Sequence, residues 1–459
     1  MRVTKIIENV FKNYLPSPLT IAILLTLFTF GLALLLTKPI ESSILDYSTS
    51  ILQFWQDGIW SDSLLVFAYQ MMLILVLGHV LVLSKPISNL ILKATNFCTN
   101  TANSAAIVAF FTMIVAFFNW GLGLIFGALL ARKVAEHAQR NNIAINYPII
   151  GAAGYLGLMV WHGGISGSAP IKINEDGHIK SLLQNSGNES ILSQIPANIT
   201  YAETIFSWWN LLIFTIVLLV ITMLFYNLGK KAKPTKIELS EYKFSGDEEV
   251  NTKSEKLDSS KVLAISFGLI IMIAFAYSYA SDITALKITP NLINFFMLGL
   301  GIILHGSFKK FGNAVHESIT DISGILVQFP LYFGIMGIMN QSGLVTQISD
   351  FFVSISNATT LPIFTFFSAG LVNIFVPSGG GQWVVQGPIV VESALQLGVP
   401  LPKAIMALSY GDQITNMLQP FWALPLLGIT KLKAKEILPY TLIAMVVASV
   451  IYILGLLLI

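Results

Sequence analysis

Residues 17–37, "SPLTIAILLTLFTFGLALLLT", contain no charged side chain, and that stretch alone restricts what the chain can become. A bilayer's hydrocarbon layer is about 30 Å thick, and a helix crosses it in about 20 residues. Backbone polar groups at that depth have no water to bond, so a crossing segment must satisfy its own N–H and C=O groups. Comparable apolar runs occupy 63–84, 147–170, 205–228, 262–280, 290–305, 321–340, 404–429 and 437–458. The repetition, and the lack of a small-residue cleavage pattern, make 17–37 a permanent span rather than a leader. Composition agrees: 54% of the 459 residues are hydrophobic and 11% are charged, against about 25% charged in soluble domains. The expected fold is an all-α polytopic membrane protein.

Two regions depart from the plain runs. In 104–131 and 361–397, short apolar arms flank centres rich in Gly, Asn, Ser and Pro. Lys and Arg beside spans favour the cytoplasm, so Arg2, Lys5 and Lys12 place the N-terminus inside, and the acidic 38–62 connection follows outside. Lys85 and Lys93 precede 104–131, and Arg132, Lys133 and Arg140 follow it. With both flanks basic, this segment is expected to dip into the membrane and return on the same side, with Arg132 as a topological anchor. By the same reasoning 171–204 lies outside, and 229–261 is a solvated cytoplasmic linker alternating Lys with Asp and Glu. The loop 306–320 carries Lys309 and Lys310 and lies inside, 341–360 lies outside, and 361–397 dips from outside. Lys431, Lys433 and Lys435 are cytoplasmic, leaving the C-terminus outside.

The order of segments then repeats with opposite orientation. Residues 1–228 form a first inverted repeat, with hairpin 104–131 and interrupted helix 147–170; 262–289 hold a connecting helix. Residues 290–459 form the second repeat, with hairpin 361–397 and interrupted helix 404–429. Inverted repeats with discontinuous helices belong to secondary transporters, whose sites lie near the midplane at the repeat interface.

The four breaks are "FNWGLGLIFG" (118–127), "MVWHGGISGSAP" (159–170), "VPSGGGQWVVQG" (376–387) and "SYGDQITNMLQP" (409–420). A broken helix at membrane depth must be buried in protein or line a polar cavity. Its freed amides carry partial positive charge suited to an anion, and its freed carbonyls suit a cation. Candidate substrate-binding residues are therefore Asn119, Trp120, Gly121, Gly123, His162, Gly163, Gly164, Ser378, Gly379, Gly380, Gly381 and Gln382. Each glycine cluster taken alone has a competing role in close helix packing. Ser166, Ser168, Asp412, Thr415 and Asn416 are candidates for a coupling ion, either sodium on neutral oxygens or a proton on Asp412 and His162. Trp161, Trp383 and Trp422 are candidates to bound an apolar tail.

Enzyme signatures fail on spacing. His316-Glu317 is followed by Thr320 where H-E-x-x-H needs its second histidine, and there is no G-x-x-x-x-G-K-[ST] phosphate loop. No G-x-S-x-G elbow occurs, and the single cysteine, Cys98, excludes an internal disulfide. The chain is read as a non-enzyme without an organic cofactor or nucleic-acid partner.

The stretches "NIFVPSGGGQWVVQGPIV" (373–390), "AVHESITDISGILVQFPLYFGIMGIM" (314–339) and "GDQITNMLQPFWALPLLGI" (411–429) resemble the short-chain fatty acid transporter family, the AtoE-type permeases. The likeness extends from "NYLPSPLTIAILLT" (13–26) to the last span. It implies a multi-pass permease of the bacterial inner membrane for short monocarboxylates such as butyrate or acetoacetate. Through the wider ion-transporter superfamily it also implies re-entrant hairpins, an elevator motion and a homodimer. A di- or tricarboxylate carrier is the alternative within that superfamily, but its extra substrate charge calls for Arg or Lys at the breaks, and none is present. A membrane-embedded enzyme or a channel are the readings from other classes.

Overall fold

The computed structural model describes residues 10–11, 13–87, 95–183, 195–235, 239, 253–284 and 289–458. The first half comprises helices α1 (Pro18–Leu36), α2 (Ile44–Ile59), α3 (Asp62–Leu83), α4 (Thr101–Phe118), α5 (Trp120–Arg140), α6 (Tyr147–Ala153), α7 (Ser168–Lys172) and α8 (Trp208–Lys231). Two further short helices span His178–Leu183, before α8, and Lys253–Asp258, in the linker; helix α9 (Lys261–Thr284) follows the linker region. Then come α10 (Pro290–His305), α11 (Phe308–Ser318), α12 (Ser323–Gln341), α13 (Leu344–Ser354), α14 (Leu361–Phe375), α15 (Gly379–Leu397), α16 (Leu401–Thr415), α17 (Pro420–Thr430) and α18 (Ala434–Leu458). No strand occurs among the described residues. The chain is an all-helical, multi-pass membrane protein.

Local chemistry explains where many helices begin. Ser17, Asn100, Asn119, Asn146, Ser207, Thr289, Ser307 and Ser378 each accept a backbone N–H of the first turn, the usual work of an N-cap oxygen. Among the described residues α1, α3, α4, α8, α9 and α18 are long and apolar enough to cross a membrane. Their burial differs: 17% of the apolar window is buried in α1 and α9, against 56% in α3 and α4. The first two therefore lie at the periphery, and α3 and α4 in the interior.

Several expectations change. The connections 38–62, 306–320 and 341–360 contain helices α2, α11 and α13. A hydropathy scan passes over α2 because only one face is apolar; Tyr47, Ile51 and Gly58 are buried, and Gly58 lies against Gly334 and Gly337 of α12. Helix α5 continues past 131 to Arg140, so Arg132 and Lys133 are helix residues, and both are buried. Arg132 Nε lies 2.9 Å and Lys133 Nζ 2.8 Å from the Glu136 carboxylate, while Arg132 Nη1 donates to the Ile429 carbonyl (2.6 Å). This cluster ties the middle of α5 to the end of α17. Of the 229–261 linker, 236–238 and 240–252 lie outside the described residues, as do Arg2, Lys5, Lys12 and Lys93.

The same element order occurs twice. Helices α4 and α5 meet at Asn119, and α14 and α15 meet at 376–378. Each pair precedes an interrupted segment. In the first, α6, a 3-10 turn (Leu156–Met159), irregular residues 160–167 and α7 replace one long helix. In the second, α16, a 3-10 turn (Asn416–Leu418), extended Gln419 and α17 do so. A long apolar helix, α8 or α18, closes each set.

Candidate functional site

The two hairpin tips have the same capping chemistry but leave different groups open. At the first, Asn119 is extended (φ −153°, ψ 124°); its Oδ1 accepts from the Leu122 N–H and its carbonyl from the Gly123 N–H, both at 2.9 Å. The Trp120 N–H donates to Ser166 Oγ (2.9 Å), so this tip is largely satisfied from within. At the second tip, Ser378 Oγ accepts from the Gly381 N–H (3.2 Å) and its carbonyl from the Gln382 N–H (2.8 Å). The Gly379 and Gly380 amides have no hydrogen-bond partner among the described residues. Gly380 is exposed, so this helix start, with its partial positive charge, is accessible.

Against that tip lies the irregular segment 160–167. A Cβ at Gly379 would fall 2.8 Å from both His162 Cε1 and Trp161 Cη2, so glycine is what lets the tip approach. His162 is fully buried, and its Nδ1 hydrogen-bonds Asp412 Oδ2. The Ala169 backbone N–H approaches His162 Nε2 at 3.1 Å. An amide can only donate, so Nε2 is the bare nitrogen and Nδ1 carries the proton toward Asp412. The backbone of this segment is held by Gln413, whose Oε1 accepts from the N–H groups of His162 (2.8 Å) and Gly163 (3.0 Å). Asp412 Oδ1 and Gln413 Nε2 are buried without a partner among the described residues, an uncommon state for interior polar atoms.

The break after α16 is knitted to α14. Asn373 Nδ2 lies 2.6 Å from the Asp412 carbonyl, 3.0 Å from Thr415 Oγ1 and 2.9 Å from Asn416 Oδ1. The carbonyls of Asn416 and Gln419 accept the Tyr155 hydroxyl at 2.9 and 3.0 Å. The five coupling-ion candidates thus fall into separate surroundings. Thr415 and Asn416 share Asn373, Asp412 pairs with His162, Ser166 caps the first tip, and Ser168 Oγ lies nearest the second tip at Gly380.

A family model described as short chain fatty acid transporter matches residues 1–459. The chain belongs to the short-chain fatty acid transporter family. Two curated relatives carry the name "Putative short-chain fatty acid transporter". One, from Escherichia coli (strain K12), is 36% identical over 99% of both chains; the other, from Haemophilus influenzae, is 35% identical over 99% of both. Among solved structures, Neisseria gonorrhoeae MtrF, titled as representing a class of antimetabolite efflux pumps, aligns over 97% of this chain and 96% of its own, at 16% identity and a TM-score of 0.42. That likeness is too low to carry an argument.

In this family member, aromatic side chains join the two tips. Trp161 stacks on its neighbour His162 with centroids 4.6 Å apart, and lies 6.0 Å from Trp120. Trp120 is in turn 5.2 Å from Trp422. Trp383, expected with them, goes elsewhere: its indole N–H donates to His178 Nε2 (3.0 Å) in the 171–204 segment. Gln382 is likewise turned away from the tip, donating to the Ala369 carbonyl (2.9 Å) and to Gln386 Oε1 (2.7 Å). Gly164 packs against the Phe117 carbonyl, and Gly123 against Ala116, close contacts within the helix framework; Gly121 is buried with looser neighbours, Asn119 Oδ1 at 3.5 Å and Ile74 Cδ1 at 3.8 Å from its Cβ position.

Gln413, Asn373 and Asn210 were missed by sequence reasoning. Asn210 Nδ2 donates to the Gly163 carbonyl (2.9 Å), and the Tyr410 hydroxyl donates to Asn210 Oδ1 (2.6 Å), so α8 and α16 together brace the irregular segment. The available signal was a polar amide inside an apolar run, which is costly at membrane depth unless partnered. No group of three or more His, Cys, Asp or Glu side chains suited to a metal occurs among the described residues.

Proposed function

We propose that this protein takes up a short-chain monocarboxylate together with a proton, by alternating access between inverted repeats. The observation that carries the coupling is the buried His162–Asp412 pair. His162 Nε2 is already occupied by an amide N–H, so the free position for another proton is Asp412 Oδ1, which has no partner among the described residues. A carboxylate substrate at the Gly379–Gly380 amides would stand close to that side chain. Two carboxylates about 5 Å apart repel by about 3 kcal/mol at an effective dielectric of about 20. A proton on Asp412 removes the repulsion and leaves the loaded site with the same single negative charge as the empty one, which favours moving proton and acid together. Sodium bound among neutral oxygens is the alternative coupling ion, and the Thr415–Asn416 surroundings are where it would compete.

The test is saturable uptake of radiolabelled acetoacetate and butyrate into proteoliposomes, measured above protein-free vesicles, with proton or sodium gradients imposed separately. A proton gradient is expected to drive accumulation. Asp412→Asn is expected to reduce driven accumulation at least tenfold while substrate exchange at equal concentrations survives. Accumulation that follows only a sodium gradient would defeat proton coupling, and no saturable uptake of any short monocarboxylate would defeat the function itself.

A further inference from the structure

We propose that Trp161 supplies a hydrogen bond to the substrate carboxylate and that Phe67, with Trp120 and Trp422, forms the wall that limits acyl-chain length. The inference rests on the monocarboxylate reading above. It begins with an orphaned group: Trp161 is 5% exposed, and its indole N–H has no partner among the described residues. Buried donors are ordinarily paired. This one belongs to a ring whose Cη2 edge meets the Gly379 position and which stacks on His162. The Gly379 and Gly380 amides are the open backbone donors of the second tip, and the indole N–H is the unpaired donor of the ring packed against it, so together they offer a carboxylate its partners.

The apolar side is built from a different part of the chain. Phe67, Trp120 and Trp422 form a triangle with centroid separations of 6.1 Å (Phe67–Trp120), 6.1 Å (Phe67–Trp422) and 5.2 Å (Trp120–Trp422). Trp120 extends this triangle to Trp161. Trp422 is buried, whereas Phe67 and Trp120 are each partly exposed. Phe67 lies on the unbroken helix α3 and is backed by Phe329 of α12 at 6.4 Å; Phe329 in turn stacks on Phe421 at 4.2 Å. The ring is therefore a braced wall facing the two helix-break elements. An acid whose carboxylate lies at the second tip would send its tail toward that wall. Each methylene that fits strengthens binding about fourfold, and the first that meets Phe67 reverses the trend.

The experiment is competition of unlabelled acetate, butyrate, hexanoate and octanoate against labelled butyrate exchange in proteoliposomes. In the wild type, affinity is expected to rise from acetate to butyrate and fall beyond it. Phe67→Ala should shift the optimum to a longer acid, with hexanoate gaining at least tenfold relative to butyrate. Phe67→Leu, a smaller change, should shift it in the same direction and serves if the alanine variant does not fold. Trp161→Phe keeps an aromatic ring, though a smaller one, and deletes the N–H, so it should weaken all chain lengths by a similar factor of about ten and leave their order unchanged. If these rings only pack, the Phe67 variants will lower transport equally at every chain length. That outcome, or wild-type affinity in Trp161→Phe, overturns the inference while leaving uptake by the wild type intact. Absence of wild-type uptake would instead overturn the function it rests on.

Discussion

Gln413 holds two backbone amides, those of His162 and Gly163, on one side-chain oxygen. Both amides belong to a segment that is buried yet not helical, so no main-chain ladder can replace the bond. Gln413→Leu preserves bulk and removes the acceptor, leaving two buried donors unpaired at about 1–3 kcal/mol each. A clear fall in apparent Tm of the detergent-solubilised protein is the expected result, and Gln413→Glu, which keeps an oxygen, should recover much of it. Equal melting of Gln413→Leu and wild type would show that water takes over both amides. Asp412 was legible in the sequence as an acid inside an apolar span, and His162 as a histidine at a glycine break. Their pairing was not, because they are 250 positions apart and spacing along one helix says nothing about a partner on another.

At the scale of the element, the helix breaks were legible for a local reason. Asn119 and Ser378 are short polar side chains that satisfy the first turn beyond them, and glycine or proline accompanies each interruption. The amphipathic helices α2, α11 and α13 were not, because their polar faces lower the mean hydropathy that marks a span. The 171–204 segment shows a further contact between elements. Trp383 on α15 can only donate from its indole, so His178 must present a bare Nε2. Burial first, then the Lys172 ammonium, holds the His178 pKa below its ordinary value of 6.5, against an upward pull from Glu175. The folded protein thus favours neutral imidazole: the stabilisation is complete above pH 6.5 and is lost as pH falls through the lowered value. Hydrogen exchange in 171–183, corrected for intrinsic rates, should quicken between pH 7.5 and 5 as this contact opens. In His178→Gln, whose carbonyl accepts without titrating, that response should vanish. The same pH dependence in the variant would place its cause elsewhere.

For the whole molecule, assembly of the site depends on how closely the second hairpin tip meets the 160–167 segment. Gly379→Ala would place a methyl group 2.8 Å from His162 and Trp161, and one of these buried groups must move. The expected outcome is a lower melting temperature and at least a tenfold loss of uptake. Gly380→Ala meets nothing nearer than Ser168 Oγ at 3.9 Å and should leave the melting temperature unchanged. Comparable melting for the two variants would mean that the tips do not meet this closely. The sequence by itself determined the helical class, the membrane setting, the family and the positions of the four breaks, because hydropathy, capping and helix-breaking act over a few neighbouring residues. Only the tertiary structure decided that His162 faces Asp412, that Gln413 and Asn210 brace the irregular segment, that Trp383 turns to His178, and that Phe67 joins Trp120 and Trp422. Those are contacts between residues far apart in the chain, selected by packing and by the need to pair buried polar groups, and no local pattern encodes them.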